Sequence, residues 1–316
     1  MSATVPLYPG TELSLSLVPG FPAMHDAYRG RRDQRDMVCG AYVLTYLLRG
    51  YGVTEQAGTP VTVDSVAAAA GTALEEHNAD RLAAARAAVE EGDVPPGRAR
   101  TWHPHDWFEY DLAVAEEGGT SSEGFVRACE TASGARLVAV PVPATRGGGV
   151  QLTPAAFDTV LSAATEGRFG LQVALNYNLS HTLAPAGILG HKYDPVALLT
   201  RWDDPGYFRR LDWDVGHFTG LVGRLSRADS DRRYLLIRDS YRTFGWDGYH
   251  LQPEGYVREG LVRAEDDRDG GLLLVLPADE RSALESFLAE QELVTGTWDN
   301  GSPYRPVTDP FGSDGD

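Results

Sequence analysis

Apolar positions in this chain fall into two kinds of run. In the front half they recur at helical spacing, and in the back half they gather into short blocks of strand length. The stretch "CGAYVLTYLLRGYG" opens on Cys39, groups Tyr42, Val43, Leu44, Tyr46 and Leu47 into a wide apolar face, and ends at Gly50 and Gly52. That pattern predicts a helix beginning at the cysteine. Thr62 is placed to cap a short alanine-rich helix through Ala70, and residues 80–91 predict another. Thr120 and Glu123 have capping-box spacing ahead of a helix that aligns Phe125, Ala128, Cys129 and Ala132 and stops at Gly134. Thr153 followed by Pro154 opens one more, and "DERSALESFLAEQEL" predicts the last.

The strand-like blocks are "RLVAVPVP", "GLQVALNYN", "HFTGLVG", "YLLIRDS" and "GGLLLVLP". Helices first and strands afterwards predict an α+β class with an antiparallel sheet. The expected domain covers 31–296, with a helical part over 31–135 and a sheet part over 136–296. Pro6, Pro9, Pro19 and Pro22 make the first thirty residues read as an extended arm. Residues 178–210 read as a long loop able to cover a site, and 297–316 as a disordered tail.

Charge narrows the partners. With 28 basic and 45 acidic side chains the chain carries a net charge of −17, which argues against non-specific binding to nucleic acid or an anionic membrane. A basic or neutral substrate suits such a surface better than an acidic one. No apolar run approaches the ~20 residues of a membrane span. The first residues show no basic leader, so cytoplasmic residence is expected.

Candidate chemistry centres on Cys39, one of two cysteines. Free N–H groups and the dipole at a helix start favour a thiolate. Gly40 removes a side chain beside the sulfur and leaves room for a carbonyl. His217 opens an apolar strand after Gly216 and is the candidate base; Asp239 lies on the next strand. A hairpin symmetric about Ala228 places residues 217 and 239 opposite each other, with Cβ atoms ~4.5–5.5 Å apart. Gln34, five residues before Cys39, is the candidate oxyanion donor alongside the Cys39 amide. Cys129, in mid-helix on an apolar face, reads as core.

Gln34, "CGA" at a helix start, "GHF" at a strand start and Asp239 on the following strand resemble papain-like cysteine peptidases. The nearest likeness is to bacterial double-glycine leader peptidases and their stand-alone relatives. The segments "GTSSEGFVRA", "GWDGYHLQP" and "GGLLLVLP" resemble a further papain-like bacterial family with no established reaction. The resemblance implies a helical part, carrying the cysteine helix, packed on a C-terminal antiparallel sheet. It also implies Cys39 as nucleophile, His217 as base, Asp239 as its orienting partner and Gln34 at the oxyanion. In the family the glutamine lies one residue further upstream than Gln34, and the resemblance to the peptidases leaves residues 55–205 unexplained.

The expected function is therefore thiol-dependent acyl transfer on a peptide, amide or other acyl substrate. Cysteine peptidase or amidase leads; an acyltransferase or amide-forming ligase shares the same residues. A non-catalytic peptide-binding module on the same fold is the alternative from another class. Trp246, Tyr249 and His250 are candidates to line a substrate groove, or else packing residues. His103, His105 and Asp106 in "WHPHDW" lack a second ligand pair, and His181 and His191 add none, so no metal is expected. The glycine-rich pieces lack a phosphate-cradling ending, so no cofactor is expected.

Overall fold

In the block 271–277, Leu272, Leu274 and Leu276 enter one hydrophobic cluster while Leu273 and Val275 enter a second. A strand apolar on both sides must be covered on both sides, and the computed structural model has that arrangement. It describes residues 2–8, 11–29, 34, 37–73, 118–183, 200–211, 213–242, 244–263, 269–302 and 310–312. The helix expected over 80–91, the "WHPHDW" loop and His191 lie outside these residues.

The main elements are β1 (Ser2–Tyr8), β2 (Thr11–Leu17), α1 (Phe21–Tyr28), α2 (Cys39–Gly50), α3 (Val63–Ala69), α4 (Ser122–Ser133) and β3 (Leu137–Pro143). There follow α5 (Pro154–Thr165), β4 (Gln172–Asn178), β5 (Gly216–Arg227), β6 (Ser230–Arg238), β7 (Tyr249–Pro253), α6 (Glu254–Val262), β8 (Gly271–Pro277) and α7 (Arg281–Glu290). The class is α+β. One eight-stranded sheet runs in the order β1-β2-β5-β4-β8-β3, with β6 joined to β5 and β7 to β6. Every pairing in it is antiparallel.

Helices α1 to α4 cover one face and α5 to α7 the other. Helices from both halves of the chain thus sandwich the sheet. The first thirty residues depart furthest from an extended arm. They form β1, β2 and α1, and β2 pairs with the far half of β5. Their prolines fall where regular structure tolerates them: Pro6 lies on an edge strand, and Pro22 in the first turn of α1.

Among the described α-helices three are capped by side chains: α3 by Thr62 in a capping box with Ser65, α4 by Ser121, and α5 by Thr153. The α4 cap is thus one residue beyond the expected Thr120. The Thr120 hydroxyl instead pairs with Thr72 Oγ1 at 2.9 Å, and its carbonyl accepts from Asn300 Nδ2 at 3.0 Å. That second bond belongs to a segment expected to be disordered. Trp298 is buried; its backbone N–H donates to Ser122 Oγ at 2.9 Å, and its carbonyl accepts from the same hydroxyl at 2.7 Å. Its indole N–H donates to Asn176 Oδ1 at 3.1 Å. Within 297–302, Trp298 and Asn300 are buried, while Thr297 and Asp299 stay exposed. Among the described residues no helix is long and apolar enough to cross a membrane.

Candidate active site

Cys39 is the first residue of α2, and the helix has no side-chain cap. Its first-turn N–H groups are left to whatever lies beside the sulfur. The chain reaches this point through Met37, a non-glycine residue at φ 62°. That left-handed turn costs of order 1 kcal/mol and is held by packing: a Cβ on Gly118 would sit 2.1 Å from the Met37 sulfur. Gly40 has a different purpose from the one expected. A Cβ there would meet Thr120 Cβ at 2.7 Å, so the missing side chain admits the strand of residues before α4, not a substrate carbonyl.

His217 is the second residue of β5 and is buried. Its Nε2 lies 3.1 Å from Asp239 Oδ1. The Cys39 thiol is close enough to the ring to act on it together with Asp239. Burial opposes charge on His217, but Asp239 and Cys39 outweigh it and push its pKa up to about 10. Asp239 is fully buried. Burial alone would raise its pKa, yet His217, and after it His250, hold it well below the usual carboxylate range. The Tyr241 N–H also donates to Oδ1, at 3.0 Å.

The expected direct pairing of 217 with 239 does not occur. Leu235 faces Arg224, and after a register shift Arg238 faces Gly220, so the position beyond it falls two residues short of His217. The offset arises from irregularities at Ser230/Arg233 and Leu236/Ile237. Asp239 lies one residue past the end of β6, where its N–H donates to Gly248 O at 2.8 Å. Its side chain reaches the imidazole diagonally.

Gln34 joins the same group through Ser240 and Tyr241. Its backbone N–H donates to Ser240 O at 3.3 Å, and its Nε2 donates to the Tyr241 hydroxyl at 3.1 Å. The other amide atom, Oε1, is buried with no hydrogen-bond partner. Tyr241 also stacks on His217, with ring centroids 5.3 Å apart and planes 10° apart. Trp213 packs against both rings. Tyr241 and Trp213 were not singled out from the sequence. The signal for Tyr241 was its position two residues after the acid, which returns it to the same side of an extended chain.

The three groove candidates go to different places. Trp246 is exposed. Tyr249 packs with Phe21 of α1, bonds His25 Nδ1 through its hydroxyl at 2.8 Å, and lies over the buried Arg238 guanidinium. His250 is fully enclosed, 1% exposed, and faces Asp239 from the side away from His217. It cannot line a groove. Cys129 is wholly buried in mid-α4, and burial, aided by Glu130, pushes its thiol above the usual range. Among the described residues no group of three His, Cys, Asp or Glu side chains is placed to hold a metal.

A family model described as a family of unknown function, DUF6885, matches residues 18–299. The chain belongs to that family. No curated protein matches it. The span matched by the DUF6885 model contains Gln34, Cys39, His217, Asp239, Tyr241 and His250, so the whole cluster lies within the family's domain.

Proposed function

We propose that this DUF6885 protein is a thiol-dependent acyl-transfer enzyme of the papain-like kind, in its plainest form a cysteine peptidase or amidase. The observation that carries the reading is the buried His217–Asp239 pair at 3.1 Å, with Cys39, at the start of a helix, among the groups that act on the imidazole. A cysteine at an uncapped helix start, a histidine poised to hold charge and a carboxylate that stays ionised are the three parts a thiol nucleophile needs.

The proton of Sγ passes to His217, and the thiolate attacks the carbonyl carbon of an amide or ester. As the S–C bond forms, the carbonyl electrons move onto oxygen, where the first-turn N–H groups of α2 stabilise the oxyanion. Collapse breaks the bond to the leaving amine or alcohol, which takes the proton from His217. Water then gives a proton to His217 and attacks the thioester, releasing a carboxylic acid and the thiol. An amine in place of water yields an amide, the transferase or ligase outcome. Exchanging the amide O and N of Gln34 leaves its shape unchanged. The Tyr241 hydroxyl then donates to Oε1, and the Nε2 group takes the place of the unpartnered atom, from which it joins the oxyanion donors. The net charge of −17 favours a neutral or basic peptide over an acidic one.

Alkylation with iodoacetamide at pH 6, followed by peptide mapping, tests the reading. Cys39 should react about a hundredfold faster than Cys129, and a p-nitrophenyl ester should leave an acyl group on Cys39. Slow reaction at both thiols with no acyl adduct would defeat the enzyme reading and favour a binding module on the same fold.

A further inference from the structure

The buried polar chain does not end at Asp239. His250, on β7, brings its Nε2 to 3.4 Å from Asp239 Oδ2, on the carboxylate oxygen that His217 does not use. Its Nδ1 lies 3.2 Å from Gln252 Nε2. The orientation of Gln252 is fixed by the backbone of Leu183: Oε1 accepts the Leu183 N–H at 2.8 Å, and Nε2 donates to the Leu183 carbonyl at 2.9 Å. Only that orientation satisfies both groups. The second Nε2 hydrogen therefore points at His250 Nδ1, which must accept it. A ring whose Nδ1 accepts is neutral, and its single proton is on Nε2, aimed at Asp239.

We propose that His250 is a positioning residue for the triad: held as the neutral Nε2–H tautomer by Gln252, it donates to Asp239 and keeps that carboxylate ionised and turned toward His217. This inference rests on the proposed function. Leu183 pairs with Arg210 in an antiparallel bridge, so the grip on the acid is anchored to a fixed backbone point. Residues 250 and 252 alternate along β7 and share a face, so one strand supplies both members. Among the described residues Asp239 is the charged group bonded to His250; His217 is beyond it, and the Tyr177 phenol, raised by burial and by Asp239, is a further titratable group acting on that carboxylate. Phe244 closes the ring's other side, edge-on at 6.3 Å.

Without that donor, Oδ2 has no hydrogen-bond partner among the described residues, so Asp239 either takes a proton or turns away. Both changes weaken the imidazolium and, through it, the Cys39 thiolate. The test is the pH dependence of Cys39 alkylation by iodoacetamide in the full chain, for wild type, His250→Leu and His250→Gln. Glutamine keeps an N–H near the place of Nε2. Wild type and His250→Gln should share one acid midpoint of Cys39 alkylation. His250→Leu should shift it upward by about one pH unit, with a rate near pH 6 about tenfold lower.

A folded His250→Leu protein with the wild-type midpoint would overturn the proposal, as would His250→Gln behaving like His250→Leu. A wild-type Cys39 no more reactive than an ordinary thiol would instead defeat the enzyme reading itself. If His250→Leu does not fold, side-chain nitrogen NMR of the wild type decides. A neutral His250 protonated on Nε2 at pH 6–7 supports the proposal; an imidazolium or an Nδ1–H tautomer overturns it.

Discussion

Cys39 and Cys129 lie on two helices packed against the same face of one sheet, and their surroundings are chemically opposite. Cys39 opens an uncapped helix, is partly accessible, and meets an imidazole. Cys129 comes two turns into a helix whose first turn is already satisfied by Ser121, and it is sealed among apolar side chains. Burial drives its thiolate form out of reach. A thiol's role is thus set by its place relative to a helix start and by what closes that start, not by which layer holds it.

The largest expected effect separates the two thiols outright. Cys39→Ser should lower ester turnover by at least about a thousandfold while leaving the unfolding midpoint near its wild-type value. Cys129→Ser should do the reverse: turnover per folded molecule stays, and stability falls by about 1–3 kcal/mol because a hydroxyl is buried without a partner. Chemical denaturation beside an ester assay reads both. Loss of turnover from the Cys129 variant, in protein that remains folded, would break the comparison.

The next effect concerns the imidazole that only Cys39 has. His217→Gln should cost about 10²–10⁴ in turnover. It also carries a signature in stability. The folded pKa of His217 is raised to about 10 from an ordinary value near 6.5. Its contribution is therefore complete below pH ~6.5 and declines as pH rises through about 10. The Asp239 value is depressed, so its contribution is present above about pH 4 and is lost as acid protonates it. The difference in urea midpoint between wild type and His217→Gln should shrink from pH 7 to pH 10. A difference that grows over that range would contradict the ion pair.

Why one thiol was easier to recognise than its supports follows from the range of each signal. The α2 start, the alternation of Leu272 to Leu276 and the Thr153 cap are written in neighbouring residues, and all three are readable from local pattern. Gly40 is not, because the side chain that demands it, Thr120, is eighty positions away in the sequence. The meeting of His217 and Asp239 was right in its members and wrong in its register. Two irregularities in the β5–β6 hairpin moved the acid, and bulges leave little local trace. Trp298 defeated a compositional reading of its segment: one buried indole, bonded to Asn176 and accommodated by Gly271, orders residues that glycine and aspartate made look loose. His250 looked like a groove residue because it follows the acid in sequence; only the β6–β7 pairing places it behind Asp239.

The smallest effect tests whether the asymmetry between the thiols extends from proton transfer to the oxyanion. Alkylation by iodoacetamide displaces iodide at a saturated carbon and forms no oxyanion, whereas acylation by an ester does. Gln34→Ala should therefore leave the Cys39 alkylation rate close to wild type and lower ester acylation by about a hundredfold, the size of one lost oxyanion donor. Tyr241→Phe, which removes the hydroxyl bonded to Gln34 but keeps the ring stacked on His217, should lower acylation by about tenfold through a less fixed amide. If both variants acylate at the wild-type rate, the α2 N–H groups meet the oxyanion alone, and Gln34 is a wall of the site. If alkylation falls with acylation, Gln34 supports the thiolate itself, and the separation between proton transfer and oxyanion binding at Cys39 collapses into one function.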